Sequence, residues 1–351
     1  MSIFKVRYLL ISLPFVIGLL FFIGQSTVGE EEFDISTDKQ KGTHLFGLDD
    51  TTGFQFLHRN HIEWVTLVPW GFQTRYDSPR VSHHNGDSTN IKSGNSSWLQ
   101  YQKVMRSAGF KLFIKPHVWI NETEDGKWRS DIFPTSAENW EVWKASYQDF
   151  ILRYARLAQA GGAEMFCIGT EFSRLSTEKP NFWKALIQEV RQVYKGKITY
   201  AANWYEEYER ITFWEDLDYI GIQAYFPLAE EEFPSVKQVS DGWNAYLPTM
   251  KNLARQHNRK IIFTEIGYKS TSDSAITPWE WLDYPESGKV FSAETQANCY
   301  AAFFEKVWPK KWFEGVHIWQ MRSDYLHREP RNLDFTPLQK TAESVIAKGF
   351  E

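Results

Sequence analysis

Two glutamates stand at the ends of otherwise apolar runs in this 351-residue chain. Glu171 closes the run MFCIGTE, and Glu265 closes the run IIFTE. Two carboxyl groups that face each other can hydrolyse a glycosidic bond, because one protonates the leaving oxygen while the other attacks the anomeric carbon. A lone glutamate in such a place is more often a strand-end cap or an ion-pair partner. The two together, in matching positions, favour the catalytic interpretation.

The elements that must position these glutamates are eight short, β-rich apolar runs, which alternate with helical patterns from residue 44 onward. Their hydrophobicity is nearly continuous, as is typical of parallel strands that are covered on both faces. The runs are His44–Asp49, Trp64–Trp70, Lys111–Trp119, Met165–Phe172, Ile198–Trp204, Tyr219–Tyr225, Ile261–Tyr268 and Gly315–Gln320.

Helical patterns fill most of the intervals between these runs. Ala137–Ala160 repeats its apolar residues with a period near 3.6, and the following Gly161-Gly162 provides a C-terminal cap. Similar patterns predict helices over Asn181–Tyr194, Val236–His257 and Ala293–Val307. The alternation predicts a single-domain (β/α)8 TIM barrel over residues 44–351. A doubly wound sheet is the alternative, and it is disfavoured because no glycine-rich phosphate motif follows the first run.

In such a barrel, Glu171 and Glu265 follow the fourth and seventh strands and lie across the same mouth. We therefore expect a separation near the roughly 5–5.5 Å that retaining glycosidases use. Three long loops, at 71–97, 121–136 and 269–291, lie at the same end and are expected to wall a cleft.

The composition fits a carbohydrate cleft. Aromatic residues make up 17% of the chain, with 16 tryptophans, and flat apolar rings stack on sugar faces, although they also fill cores. The net charge of −5 argues against a nucleic-acid partner, because no basic surplus is present to neutralise phosphates. Cys167 and Cys299 are expected to be buried free thiols.

No metal or other cofactor is expected from the sequence. His83 and His84, with Asp77 and Asp87 nearby, lie in a polar loop, where adjacent histidines are more often solvated than metal-bound.

The N-terminus predicts export. Lys5 and Arg7 precede an uncharged apolar run from Tyr8 to Ile23, which is a pattern typical of a signal peptide over residues 1–26. An uncleaved signal-anchor is the alternative, although the run is shorter than the roughly 20 residues of a membrane span. Residues 27–43 are polar and predict a linker. We expect a periplasmic, extracellular or membrane-anchored, outward-facing protein.

Several segments resemble glycoside hydrolase family 113, within clan A of the glycoside hydrolases. They are VTLVPW, KPHVW, IGTEFS, DYIGIQAYFP, FTEIGY and GVHIWQ, and they span roughly residues 44–325. Known members of this family are mainly endo-β-1,4-mannanases. The resemblance implies a retaining hydrolase of β-mannan or glucomannan, in which Glu171 is the acid/base and Glu265 is the nucleophile.

The resemblance also implies roles for residues around the two glutamates. Tyr225 would hydrogen-bond the nucleophile, Trp319 would lie under the sugar at subsite −1, and His117 would reach a sugar hydroxyl. Taken alone, Trp319 or Tyr225 could equally be a core residue. Further substrate contacts are expected from Trp70, Trp119, Trp204 and Trp281.

One position departs from the clan's pattern. Most members have an asparagine before the acid/base to bind the sugar 2-hydroxyl, and here that residue is Thr170. Asn203 is a candidate substitute. Because this hydroxyl is axial in mannose and equatorial in glucose, β-glucan and xylan stay alternatives, as does a non-catalytic, glycan-binding barrel at the cell surface.

The reaction requires Glu171 to be protonated and Glu265 to be ionised in the free enzyme. We hypothesise that ionised Glu265 raises the pKa of Glu171, while hydrogen bonds from groups such as Tyr225 favour the Glu265 anion.

Overall fold

The eight predicted runs all form strands of one closed parallel barrel. A computed structural model of the chain describes residues 33, 38–47, 54–83, 95–123, 126–281, 288–322 and 332–351. Its strands are β1 (Gln40–Phe46), β2 (Trp64–Leu67), β3 (Trp70–Gln73), β4 (Ser82–His83), β5 (Lys111–Ile114), β6 (His117–Ile120), β7 (Met165–Thr170), β8 (Lys197–Asn203), β9 (Tyr219–Gln223), β10 (Ile261–Ile266) and β11 (Phe313–Arg322). The barrel order is β1-β11-β10-β9-β8-β7-β5-β2, which confirms the predicted TIM barrel.

The second and third predicted runs each contain a break at a proline. Pro69 separates β2 from β3, and Pro116 separates β5 from β6. Proline cannot donate a ladder hydrogen bond, so the barrel strands end there. Beyond the prolines, β3 pairs in parallel with β6 and antiparallel with β4, which gives a separate three-stranded sheet. Part of the predicted 71–97 loop is therefore strand, and this sheet brings Trp70 into register with His117.

The helices are α1 (Gln55–Arg59), α2 (Asn95–Ser107), α3 (Ala137–Gly161), α4 (Ser173–Glu178), α5 (Pro180–Val193), α6 (Glu207–Arg210), α7 (Val236–Trp243), α8 (Leu247–His257), α9 (Ala293–Lys306) and α10 (Thr341–Phe350). Ser136 caps α3 by accepting a hydrogen bond from the Asn139 amide, and Gly162 ends it at φ 71°, a left-handed conformation that glycine adopts without strain. The predicted helix Val236–His257 is in fact α7 and α8, because Pro248 lies in a first turn and starts a new helix.

Much of the aromatic content serves the core rather than a cleft. On α3, five large side chains at helical spacing are buried: Trp143, Tyr147, Phe150, Ile151 and Tyr154. Each stabilises the fold by about 1.5–3 kcal/mol relative to exposure. Cys167 and Cys299 are buried free thiols, as predicted.

Inside the barrel, the buried His317 ring links three strands. Its Nδ1 lies 2.7 Å from Thr66 Oγ1, and its Nε2 lies 3.1 Å from Gln40 Oε1. A β-carbon on Gly42 would lie 2.4 Å from His317 Nδ1, so only glycine leaves room for this ring.

The predicted signal or anchor, residues 1–26, lies outside the described residues. The predicted linker, 27–43, differs from the structure at its end: β1 begins at Gln40, because residues 40–43 join the ladders to β11 and β2. Among the described residues, none of the helices combines the length and apolarity that a membrane crossing requires.

Candidate active site

All ten residues predicted for the site line one cavity of about 590 Å³. The cavity lies where the C-terminal ends of the barrel strands converge, as a TIM barrel predicts. The ten residues are Trp70, His117, Trp119, Glu171, Asn203, Trp204, Tyr225, Glu265, Trp281 and Trp319. Sequence reasoning missed several other lining residues, among them Arg129 and Gln223.

Glu171 is placed in the cavity by an unusual backbone turn. It follows directly after β7, and its N–H donates to the Ala201 carbonyl at 2.9 Å. Its φ of 57° is left-handed, which costs a non-glycine residue about 1–3 kcal/mol. The surrounding structure must therefore hold this turn, and the pattern of apolar residues carried no sign of it.

Burial raises the pKa of Glu171, and this is the largest influence on it. The nearby Arg129 guanidinium, with Nε 3.5 Å from Glu171 Oε2, opposes the increase, while the negative charge of Glu265 adds to it. The hypothesis that ionised Glu265 raises the pKa of Glu171 is correct in direction but names the wrong principal cause. Desolvation has a larger effect on this pKa than the neighbouring carboxylate has.

Glu265 lies in β10 with both carboxyl oxygens engaged. Oε2 accepts a 2.6 Å hydrogen bond from Tyr225 Oη, and Oε1 accepts one from Lys115 Nζ. Lys115 also donates to Gln223 Oε1 at 2.8 Å. Two accepted hydrogen bonds suit a carboxylate anion, which is only an acceptor. The predicted contact between Tyr225 and Glu265 is therefore present.

Lys115 was missed although it lies within the quoted KPHVW segment. It is fully buried, and burial lowers its pKa while the Glu265 charge opposes that change. A lysine that directly follows the apolar strand β5 could have been the signal, because a buried lysine needs an acidic partner.

Several buried polar atoms near the two glutamates lack a hydrogen-bond partner among the described residues. They include Nε2 of His117, Nε of Arg129 and Nε1 of Trp319. His117 Nε2 lies 3.5 Å from Glu265 Oε1, and its Nδ1 lies 2.9 Å from Arg129 Nη1. Burial lowers the pKa of His117 well below its usual value, so its ring is neutral. Such atoms are costly to leave unpaired, and hydroxyls of a ligand can satisfy them.

Exposed tryptophans form the outer walls of the cavity. Trp119 is 40% exposed and packs edge-on against Trp128, with ring centroids 5.3 Å apart. Trp279, 44% exposed, stacks on Trp204 at 5.1 Å, and Trp281, 56% exposed, meets Trp319 edge-on at 6.1 Å. Large apolar side chains exposed around a cleft are typical of sugar-binding surfaces.

The loop that carries Trp279 and Trp281 is fixed by charge. Between them, Glu280 accepts hydrogen bonds from Lys269 at 3.2 Å and from Lys289 at 2.6 Å. Lys269 is fully buried and lies three residues after the end of β10. This loop is thus tied to the strand that carries Glu265.

Thr170 does not line the cavity. It is fully buried, and its hydroxyl donates to the Pro116 carbonyl at 3.3 Å. Asn203 does line the cavity, and its side-chain oxygen accepts the Tyr205 N–H at 3.3 Å. Asn203 and Arg129 are thus among the polar residues that line the cavity, whereas Thr170 is not.

His83 packs away from this cavity. Its Nε2 lies 3.0 Å from Asp149 Oδ2, and its Nδ1 lies 3.2 Å from Arg153 Nη1 on α3. His84 and Asp87 lie outside the described residues. Within the described ranges, three or more His, Cys, Asp or Glu side chains do not come together in a group that could hold a metal ion.

Residues 49–340 match a known family model, that of Glycoside Hydrolase Family 113. The chain belongs to this family. It is therefore a glycoside hydrolase, and the family resemblance drawn from the quoted segments is confirmed. No curated protein sequence matched the chain.

Solved structures support the assignment to family 113. The family 113 β-mannanase of Alicyclobacillus acidocaldarius is 25% identical, with a TM-score of 0.75 over 91% of this chain and 98% of that one. A second family 113 β-1,4-mannanase is also 25% identical, with a TM-score of 0.75 over 89% and 99% of the two chains. The β-glucuronidase of Ruminococcus gnavus, at 11% identity and a TM-score of 0.58, shares the fold over 50% of its length.

Proposed function

We propose that this family 113 enzyme cleaves the backbone of a β-1,4-linked mannan or glucomannan, with retention of anomeric configuration. One observation carries the proposal. A doubly hydrogen-bonded carboxylate, Glu265, and a largely shielded carboxyl with a raised pKa, Glu171, whose side chain is 14% exposed, line the same cavity. Two carboxyl groups in such different environments suit the nucleophile and the acid/base of a double displacement.

In the first step, a Glu265 oxygen attacks the anomeric carbon and forms a glycosyl–enzyme ester. The bond to the leaving oxygen breaks as Glu171 gives that oxygen its proton. In the second step, Glu171, now ionised, takes a proton from water, whose oxygen attacks the anomeric carbon and releases Glu265. The Lys115 and Tyr225 hydrogen bonds hold Glu265 in place and balance the charge that returns to it.

The substrate preference is supported by similarity and by the cavity. The two solved β-mannanases at 25% identity are matched over nearly their whole length. Three exposed tryptophans, Trp119, Trp279 and Trp281, line the same cavity as Glu171 and Glu265, and several stacking surfaces suit a chain of sugars more than a single one.

A substrate panel with product analysis tests this proposal. Purified protein is incubated with mannan, glucomannan, xylan and β-glucan, new reducing ends are counted, and the first-formed anomer is observed by NMR. We expect the fastest release from mannan or glucomannan, oligosaccharides as early products, and a β-anomer formed first. Faster release from β-glucan or xylan would overturn the substrate class, and an α-anomer formed first would overturn the retaining mechanism.

We further propose that the enzyme acts outside the cytoplasm, since Lys5 and Arg7 precede the apolar run Tyr8–Ile23. Fractionation of cells that express the full chain, with and without residues 1–26, tests this. Identical cytoplasmic recovery of both forms would contradict it.

A further inference from the structure

A third glutamate, Glu207, is buried behind the cavity wall, with 1% of its surface exposed. Its carboxyl accepts four hydrogen bonds. Tyr200 Oη and Ser176 Oγ donate to Oε1 at 2.5 and 2.7 Å. The Asn203 amide and Ser173 Oγ donate to Oε2 at 2.7 and 3.0 Å. Glu207 does not line the cavity, so it has no place in the chemistry proposed above.

Three of these contacts lead to the turn that carries Glu171. Ser173 and Ser176 belong to α4, which begins two residues after Glu171. Tyr200 Oη donates to Glu207 and also accepts the N–H of Phe172, the residue next to Glu171, at 2.9 Å. The carboxyl of Glu207 is thus linked to the backbone directly behind the acid/base candidate.

Glu171 needs such support, because its own backbone is strained. A non-glycine residue at φ 57° persists only where the surrounding structure fixes it. The Glu171 amide is held from one side by the Ala201 carbonyl at 2.9 Å. The contacts to Glu207 hold the residues on the other side of the strained position.

The fourth contact leads to a different part of the cavity. The Asn203 amide that donates to Glu207 belongs to the last residue of β8, and Asn203 and the following Trp204 both line the cavity. One buried carboxyl therefore connects the turn behind Glu171 to the end of the neighbouring strand.

We infer that Glu207 is a positioning residue for the proposed hydrolysis: it holds the turn of Glu171 and the turn of Asn203 at a fixed spacing, so that the acid/base meets the glycosidic oxygen. This inference rests on the proposed function. Isolating a carboxyl from water is costly, and burial raises the pKa of Glu207 to about 7 despite its four donors. A group maintained at such a cost next to a site is often functional.

The test is Glu207→Gln, which preserves the shape but removes half of the acceptor capacity. A glutamine nitrogen cannot accept a hydrogen bond, and the Asn203 N–H cannot reverse its role as a donor. Either the Asn203 contact or the contact to Tyr200 and Ser176 must therefore change. We expect this change to impair proton donation from Glu171 to the glycosidic oxygen, while the position and hydrogen bonds of Glu265 stay unchanged.

The informative readout is the dependence of kcat/KM on the leaving group, since this constant reports formation of the glycosyl–enzyme. Cleavage of mannan needs the proton from Glu171, because the leaving group is a sugar hydroxyl. With a 2,4-dinitrophenyl β-mannobioside, the leaving group is dinitrophenolate, which departs without protonation. For Glu207→Gln we expect kcat/KM to fall about 10- to 100-fold on mannan and less than about 3-fold on the dinitrophenyl substrate. Azide, a nucleophile that needs no general base, is expected to raise kcat on the latter.

Glu164→Gln is the matched control. Glu164 directly precedes β7, at the end opposite Glu171, and its carboxylate accepts the N–H of Leu112 at 2.7 Å. We expect this variant to keep the leaving-group dependence of the wild type. Tyr200→Phe, which cuts the link between Phe172 and Glu207, is expected to act in the same direction as Glu207→Gln and serves if that variant does not fold.

Equal losses of kcat/KM on both substrates would overturn the inference, because a merely structural defect lowers both together. Wild-type kinetics in Glu207→Gln would also overturn the inference. If that variant does not fold, wild-type kinetics in Tyr200→Phe would have the same consequence. Failure of the proposed function looks different: the wild-type protein itself would release nothing from mannan, or would invert the configuration. A wild-type enzyme that retains configuration, with an unchanged leaving-group dependence in the variants, contradicts only the role of Glu207.

Discussion

Tyr225 Oη donates a 2.6 Å hydrogen bond to Glu265 Oε2, across 40 residues of sequence. Glu265 lies in β10 and Tyr225 lies two residues after the end of the neighbouring strand β9. The Ala224 N–H also donates to the Glu265 carbonyl at 2.8 Å. Backbone and side chain together fix the phenol against the carboxylate. In the proposed mechanism Glu265 forms and breaks a bond to the sugar, so this hydrogen bond would change strength with the charge on the carboxylate.

Tyr225→Phe is expected to lower kcat about 10- to 100-fold, because a hydrogen bond to a charged group contributes about 1.5–3 kcal/mol. Steady-state kinetics on mannan measure the loss. The control is Tyr246→Phe, since Tyr246 donates to the Pro227 carbonyl and does not line the cavity. Equal kcat values for Tyr225→Phe and the wild type would show that the contact has no catalytic role.

Glu265→Ala is expected to lose on the order of 10⁴-fold or more in kcat, as removal of a nucleophile does in other hydrolases. Azide should restore activity on an activated β-glycoside and give an α-glycosyl azide, because it enters the space left on the nucleophile's side. NMR of the product identifies the anomer. Glu231→Ala, at an exposed glutamate, is the control. A β-configured azide would assign the nucleophile's role to another residue.

Arg129 is expected to set the alkaline limit of activity. Glu171 must be protonated to act as the acid, so kcat/KM falls as pH rises through its pKa. The Arg129 charge lowers this pKa. Arg129→Gln is therefore expected to raise the pKa of Glu171 and to move the descending limb of the pH profile of kcat/KM to higher pH. Arg129→Lys, which keeps the charge, should stay closer to the wild type. A limb that moves to lower pH in Arg129→Gln would contradict the assignment of Glu171 as the acid.

Trp281→Ala is expected to weaken the binding of long substrates. One stacking contact contributes about 1 kcal/mol to the binding free energy, so its loss is expected to raise KM for mannan roughly 5-fold, with little change in kcat. Val290→Ala is the control, since Val290 is also about half exposed near this loop but does not line the cavity. A lower kcat with an unchanged KM would place Trp281 in transition-state binding instead.

Apolar runs and their order were enough to predict the barrel. Buried parallel strands appear in sequence as continuous hydrophobic stretches, so all eight barrel strands could be located. The errors were local: Pro69 and Pro116 divided two runs into separate strands, and Pro248 started a second helix within one helical pattern. In each case a missing N–H or a fixed φ outweighed the hydrophobic pattern.

The sequence by itself determined that Glu171 and Glu265 come at the ends of strands, since strand-end residues follow from position along the chain. Only the tertiary structure decided what surrounds them. Lys115 reaches Glu265 across 150 residues, Arg129 lies beside Glu171, and Glu207 braces the turn behind it. The physical reason is that closing the barrel creates these contacts, whereas hydrophobic periodicity records only which face of each element is buried.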